Sequence, residues 1–186
     1  MEMKKKTNKK KVLIDNKIDS INKDKDVKYK RPSWDEYFLG IMHMVGTRGT
    51  CDRGRSGCVI VKNRRILTTG YVGSAIGVPH CDEVGHEMHQ VINDDGHVSQ
   101  HCIRTIHAET NAIAHAARVG IALDGATLYC KMTPCYVCAK TIVNSGIIRV
   151  VAAKDYHVSG KTKELFKQCG VALDVIDNNF EQYKNQ

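Results

Sequence analysis

The chain has 186 residues with a hydrophobic content of 42%, enough for one domain with a real core. Its formal charge of +8 is unevenly spread. Residues 1–31 hold eleven Lys and Arg31 against Glu2, Asp15, Asp19, Asp24 and Asp26, so the remainder is close to neutral and offers no basic face for a nucleic-acid backbone. No run approaches transmembrane length and no apolar signal region opens the sequence, so a membrane role is not expected. The eight cysteines are then expected to be reduced, in the cytoplasm or a similar compartment.

Residues 1–31 are Lys/Asn/Asp-rich and aperiodic, and read as a solvated, disordered tail, with a nucleic-acid or targeting role as the alternative. A folded domain is expected over 32–180 and a short tail over 181–186. Ser33 and Glu36 have the spacing of a capping box. Trp34, Tyr37, Phe38, Ile41, Met42 and Val45 follow at helical spacing, an aromatic stripe expected to pack into the core. Gly57–Val61 and Ile66–Tyr71 read as a hairpin around Lys62-Asn63-Arg64. Residues 72–105 show no clear period and read as a long loop, functional or ordered by something other than packing.

The second half alternates. His107–Val119 is Ala-rich and helical, stopped by Gly120. Ala126–Cys130 is a strand. Thr133 as N-cap and Pro134 at the first helical position open the next helix, which Gly146 ends. Ile147–Ala153 is a buried strand, Ser159–Cys169 a helix and Val171–Ile176 a last strand. This order predicts an α/β fold whose later strands are parallel, with right-handed crossovers and helix starts gathered at the carboxyl ends of the strands.

Two runs sit at such helix starts. One is His107-Ala108-Glu109, the other Pro134-Cys135-Tyr136-Val137-Cys138. Cys135 and Cys138 are three apart on a helix opening, which puts both sulfurs on one side and favours thiolate. With His107 they make a three-ligand zinc set that leaves a fourth position open, as catalytic zinc sites do. Glu109, two residues on, does not share the face of His107 and is expected beside the metal as a proton carrier. Taken alone, Cys-x-x-Cys also suits a redox pair, and His-x-Glu is common by chance.

A second metal follows from Cys51, Cys81 and Cys102, which flank the hairpin and the long loop. A structural zinc needs a fourth ligand. His86 is the first choice, with His97 and His101 as rivals; unpaired buried thiols are the alternative. Cys58, Cys130 and Cys169 read as core. Arg48, Arg53 and Arg55, interleaved with Gly49 and Gly54, suit a phosphate or a plain solvated loop. Arg104, Arg118, Tyr156 and His157 are weaker candidates at the pocket or at an interface.

The pattern His-x-Glu with Pro-Cys-x-x-Cys is that of zinc nucleobase deaminases. From about Arg31 to Asp177 the chain resembles the deoxycytidylate (dCMP) deaminase family of the cytidine deaminase superfamily. The resemblance runs through Arg31-Pro32-Ser33-Trp34-Asp35-Glu36-Tyr37-Phe38, Arg48-Gly49-Thr50-Cys51, Gly70-Tyr71-Val72-Gly73-Ser74 and His80-Cys81. It continues through His101–Glu109, Gly125–Tyr129 and Pro134–Cys138.

That resemblance implies a three-layer α/β/α cytidine deaminase-like fold with a mixed five-stranded sheet. It implies hydrolytic deamination of dCMP to dUMP and ammonia, feeding thymidylate synthesis. It further implies Zn²⁺ on His107, Cys135 and Cys138, Glu109 as proton shuttle, and backbone contacts near Ala108 and Cys135. It also implies a homo-oligomer, commonly a hexamer, with dCTP and dTTP as effectors, a second zinc in some members, and part of the phosphate contact near Arg48 and Arg53. Relatives usually read Gly-Tyr-Asn-Gly where this chain has Gly70-Tyr71-Val72-Gly73. Val72 cannot hydrogen-bond a sugar or an effector as Asn does. Deaminases of cytidine, guanine or tRNA adenosine, and a non-catalytic zinc module, are the competing readings.

Overall fold

The structure, a computed structural model, describes residues 29–92, 96 and 98–180. The chain divides into two units at Pro32/Ser33. Residues 1–28 of the tail expected over 1–31, the tail expected over 181–186 and the rival ligand His97 lie outside the described residues. No described helix is long and apolar enough to cross a membrane.

In the second unit the elements run α1 (Trp34–Gly46), β1 (Gly57–Lys62), β2 (Arg65–Tyr71), β3 (Gly73–Ser74), α2 (Cys81–Val84), β4 (Met88–Ile92) and β5 (Val98–Cys102). There follow β6 (Thr105–Ile106), α3 (Ala108–Val119), β7 (Thr127–Met132), α4 (Tyr136–Asn144), β8 (Arg149–Asp155), α5 (Gly160–Cys169) and β9 (Ala172–Phe180). The main sheet has order β2-β1-β7-β8-β9. β2, β1 and β7 are antiparallel, while β7, β8 and β9 are parallel. This is the mixed five-stranded sheet and α/β class expected.

Helix α1 begins with a complete capping box: the Ser33 N–H donates to Glu36 Oε2 at 2.7 Å and the Glu36 N–H to Ser33 Oγ at 3.2 Å. The helix covers one sheet face, where Phe38 and Met42 meet Val59, Val61, Tyr129 and Val151. The aromatic stripe is only partly core. Trp34 and Tyr37 stay about half exposed, because they lie at the margin of the face, where the Arg64 guanidinium sits 5.3 Å from the Trp34 ring. On the other face, α3, α4 and α5 bury Ala112, Ile142 and Phe166 against Ile60, Leu128 and Val150. Successive buried residues of the central strands face these two layers in turn, as the two-residue period of a strand requires.

The β1–β2 turn holds Asn63 and Arg64 at positive φ (52° and 62°), the geometry of a two-residue hairpin turn whose twist matches the strands. Gly70 is required by close packing. A Cβ there would lie 2.4 Å from the Ala108 carbonyl oxygen and the Ala112 nitrogen, so its absence lets the first turn of α3 rest on β2. The Asn111 side chain donates to the Tyr71 carbonyl at 2.8 Å and locks that contact.

Three expectations are corrected. Residues 72–105 are not one loop: β3 pairs with β6, α2 forms one turn, and β4 and β5 make a separate hairpin. These pieces are short and polar, so they carry no apolar period; side chains tie them down instead, as when Arg53 donates to the Gln100 carbonyl at 2.7 Å. Thr133 does not cap α4. Its hydroxyl donates to Asp155 Oδ1, and Cys135 takes the cap position. Cys169 ends α5 in solvent rather than in the core, whereas Cys58 and Cys130 are fully buried opposite each other on β1 and β7.

Candidate functional site

The parallel half of the sheet delivers two loops to one edge. After β7 the chain turns through Thr133-Pro134 into α4; after β8 it turns through Tyr156 into α5. The start of α3 meets the first of these. His107 is the cap residue of α3, in extended backbone, and Cys135 is the cap residue of α4, in the same conformation. Two helix N-termini therefore face one point, and Cys138 joins them from the first turn of α4.

His107 Nδ1 lies 3.4 Å from both Cys135 Sγ and Cys138 Sγ. A tetrahedral zinc with Zn–S of about 2.3 Å and Zn–N of about 2.0–2.1 Å puts nitrogen and sulfur about 3.5 Å apart. The three donors thus stand at the separation that zinc demands, and their chemistry is the thiolate and imidazole set it prefers. Hydrogen bonding from the Cys138 thiol, against burial and with help from His107, holds the Cys135 thiol well below its ordinary value, which favours the thiolate that binds metal. Cys138 is raised in return, first by that same contact. His107 is raised to about 9, chiefly by its contact with Cys135.

Glu109 is 8% exposed and is not among the three clustered donors. Burial raises its pKa, against the pull of His107. It lines one cavity with His107 and Ala108.

Arg53, His101 and Tyr156 stand around the same cavity. Arg53 is oriented by the Gln100 carbonyl and by Met88 Sδ at 3.5 Å. Tyr156 is 8% exposed and meets the His157 ring edge-on at 4.6 Å. Arg48 is exposed and stands away from the cavity. Arg55 is engaged elsewhere, with Asp82 at 3.1 Å and the Gly49 carbonyl. Arg104 faces Glu87 at 3.6 Å, and Arg118 is exposed in the last turn of α3. Gln100 was not singled out by sequence reasoning, and His101 only as a rival metal ligand. Nothing in a short polar strand signals that its residues wall a pocket.

The other cysteines also converge. Ligand atoms of Cys51, Cys81, His86 and Cys102 all lie within 4.8 Å of one another. Cys81 Sγ and Cys102 Sγ are 3.6 Å apart, and Cys51 Sγ is 3.7 Å from His86 Nδ1. Sulfurs bound to one tetrahedral zinc stand about 3.8 Å apart, so this four-donor set fits a closed site. His86 Nε2 lies 3.0 Å from Asp52, a carboxylate placed as the partner of a metal-binding imidazole would be. Burial pushes Cys81 up to about 12, while at Cys102 burial is outweighed by the Glu87 and Arg104 amides, which hold it down. His101 points away from this set, with its Nε2 at 2.9 Å from Ser99 Oγ. Val72 is 8% exposed between this cluster and the cavity.

Residues 32–154 match the family described as "Cytidine and deoxycytidylate deaminase zinc-binding region". ComE operon protein 2 of Bacillus subtilis is 38% identical over 148 residues, covering 80% of this chain and 74% of its own. The deoxycytidylate deaminase of Mycobacterium phage D29 is 40% identical over 128 residues, covering 67% of this chain and 98% of its own. Among solved structures, the dCMP deaminase of cyanophage S-TIM5 in complex with dCMP and dUMP superposes with a TM-score of 0.62 at 25% identity, over 79% of this chain and 99% of that one. Profile, relatives and fold agree with the motif geometry, and the chain belongs to the deoxycytidylate deaminase family within the cytidine deaminase superfamily.

Proposed function

We propose that this protein hydrolyses dCMP to dUMP and ammonia, using one zinc ion held by His107, Cys135 and Cys138. The observation that carries the reading is a buried carboxyl, Glu109, sharing a cavity with a three-donor cluster at zinc spacing. Bound there, zinc supplies Lewis acidity that lowers the pKa of a water in its open position to about 7. Glu109 takes a proton from the attacking water as oxygen bonds to C4 of cytosine. It delivers that proton to the neighbouring ring nitrogen. It then carries the remaining hydroxyl proton to the amino group, the C4–N bond breaks, ammonia leaves, and a carbonyl remains at C4. The backbone around Ala108 and Cys135 faces the base, and Tyr156 closes the cavity beside it. Arg53 is the cation best placed for the phosphate, and Arg48, turned to solvent, is not proposed for that role.

A second, structural zinc on Cys51, Cys81, His86 and Cys102 orders the segment that carries the cavity wall. A homo-oligomer, a hexamer as the family resemblance implies, regulation by dCTP and dTTP, a cytoplasmic location and a deaminase domain over 32–180 complete the proposal. Val72 in place of Asn weakens the case for effector control, since its side chain offers no hydrogen bond. The test is ammonia release from dCMP, CMP, dCTP and deoxycytidine in parallel, with and without dCTP and dTTP. dCMP is expected to be the preferred substrate; no release from any cytosine nucleotide overturns the enzyme reading, and a preference for deoxycytidine overturns the substrate.

A further inference from the structure

Asp155 ends β8 without entering the cavity, and none of the chemistry above uses it. It is 6% exposed, yet its carboxylate receives four hydrogen bonds from four places. Oδ1 accepts from Thr133 Oγ1 at 2.8 Å, from the Tyr156 backbone N–H at 2.8 Å and from Ser159 Oγ at 2.9 Å. Oδ2 accepts from Lys163 Nζ at 2.5 Å. Burial works to raise its pKa, and these donors outweigh it and hold the group ionised.

Two of those donors belong to the walls of the site. Thr133, 2% exposed, stands two residues before Cys135, and Tyr156 lines the cavity. The same loop is tied twice more: the Thr133 N–H donates to the Lys154 carbonyl at 3.0 Å, and buried Thr162 Oγ1 donates to the Pro134 carbonyl at 3.0 Å. Helix α5 therefore grips the turn that presents Cys135, with Asp155 at the centre of the grip. A buried carboxylate is costly to keep, and a single lysine at one oxygen does not account for three neutral donors converging on the other. Convergence on one atom registers the segments that supply it.

We infer that Asp155 is a positioning residue: its Oδ1 sets the Thr133–Cys135 turn and the Tyr156 backbone relative to each other, and so fixes the sulfur of Cys135 at metal-binding distance from His107. This rests on the zinc reading above. Supporting groups around metal ligands change metal affinity by about 10–100-fold when removed.

The test follows zinc release from folded protein to a chromophoric chelator, well below each variant's thermal transition. The catalytic phase is identified as the one that Cys135→Ser abolishes. Asp155→Ala is expected to release that zinc about 10–100-fold faster than wild type, with any second phase unchanged. Thr133→Val, which removes only the hydroxyl from the loop, is expected to shift the same phase in the same direction and keeps the test decisive if Asp155→Ala does not fold. Asp155→Asn keeps an oxygen for the three neutral donors and is expected to stay within about threefold of wild type, because only the lysine contact is lost. A wild-type rate in folded Asp155→Ala, or in Thr133→Val where the alanine variant does not fold, overturns the inference. So does an asparagine variant as fast as the alanine variant, which would make the charge rather than the acceptor atom responsible. Wild-type protein with no Cys135-dependent zinc overturns the zinc reading instead, a different result from either.

Discussion

Replacing Glu109 by Gln separates the chemistry of the site from its assembly. The side chain is buried and stands outside the three-donor cluster, and Gln has nearly its volume. The substitution should leave no cavity and remove no metal ligand. It removes the one group in the cavity proposed to take a proton from water and give it to the base. A positioned general acid–base contributes about 10²–10⁴-fold, and here the same carboxyl serves both the attack and the departure of ammonia. The upper part of that range is therefore expected, a fall in kcat of at least about 10³-fold, equivalent to ~4 kcal/mol of barrier. KM for dCMP should change by less than about threefold, since the amide keeps the shape and hydrogen-bonding reach of the acid. The assay is the ultraviolet change as cytosine becomes uracil, run beside zinc analysis of the same preparation. Glu109→Gln with full zinc and no turnover supports the reasoning. Loss of zinc would make Glu109 a ligand, and a kcat within tenfold of wild type would move the proton transfer to another group.

Metal analysis of freshly purified protein should give two zinc ions per chain, falling to one in Cys102→Ser with the Cys135-dependent ion retained; one ion per chain in the wild type removes the second site. Arg53→Met should raise KM for dCMP by about 10–100-fold, the value of one charge-assisted hydrogen bond, while turnover of deoxycytidine at saturation is unchanged; an unchanged KM would place the phosphate elsewhere. Asp35 accepts two hydrogen bonds from Arg149 at 2.9 Å and one from Tyr129 at 2.8 Å, and the Arg149 contact, opposed by burial, lowers its pKa. A lowered carboxyl contributes stability above its unfolded value near 4 and loses it as pH falls through the folded value. Asp35→Asn should therefore be less stable than wild type at neutral pH, by about 1 kcal/mol for so exposed a pair, and the two denaturant midpoints should converge below pH 4. A gap that persists unchanged into acid would show that the ionised pair is not the source.

The elements that could be read from sequence are those whose own residues carry a period or a cap. Ser33 and Glu36 open α1 with local hydrogen bonds, and the apolar, β-branched run Ile147–Ala153 reads as a buried strand. The parallel order of β7, β8 and β9 follows from strand–helix alternation, and with it the meeting of two helix starts at one sheet edge. The motif spacing around His107 and Cys135 is likewise local, since cap residues and first-turn residues point the same way whatever lies around them.

The rest was decided by contacts between segments distant in sequence. Thr133 reads as a helix cap by its neighbours, but Asp155, twenty-two positions on, takes its hydroxyl, so the cap passes to Cys135. Trp34 and Tyr37 have helical spacing, yet the width of the sheet sets how much of that stripe is covered. Cys169 falls on a helix like Cys138, and only packing makes one exposed and the other buried. The segment from Gly73 to Ile106 has too little apolar pattern to announce its strands, because its order comes from Arg53, Arg104 and the cluster of Cys51, Cys81, His86 and Cys102. By itself, then, the sequence determined which residues can carry zinc chemistry, because ligand type and spacing are properties of short runs. The tertiary structure alone decided which side chains surround that chemistry, because a pocket is made by segments that meet only after folding.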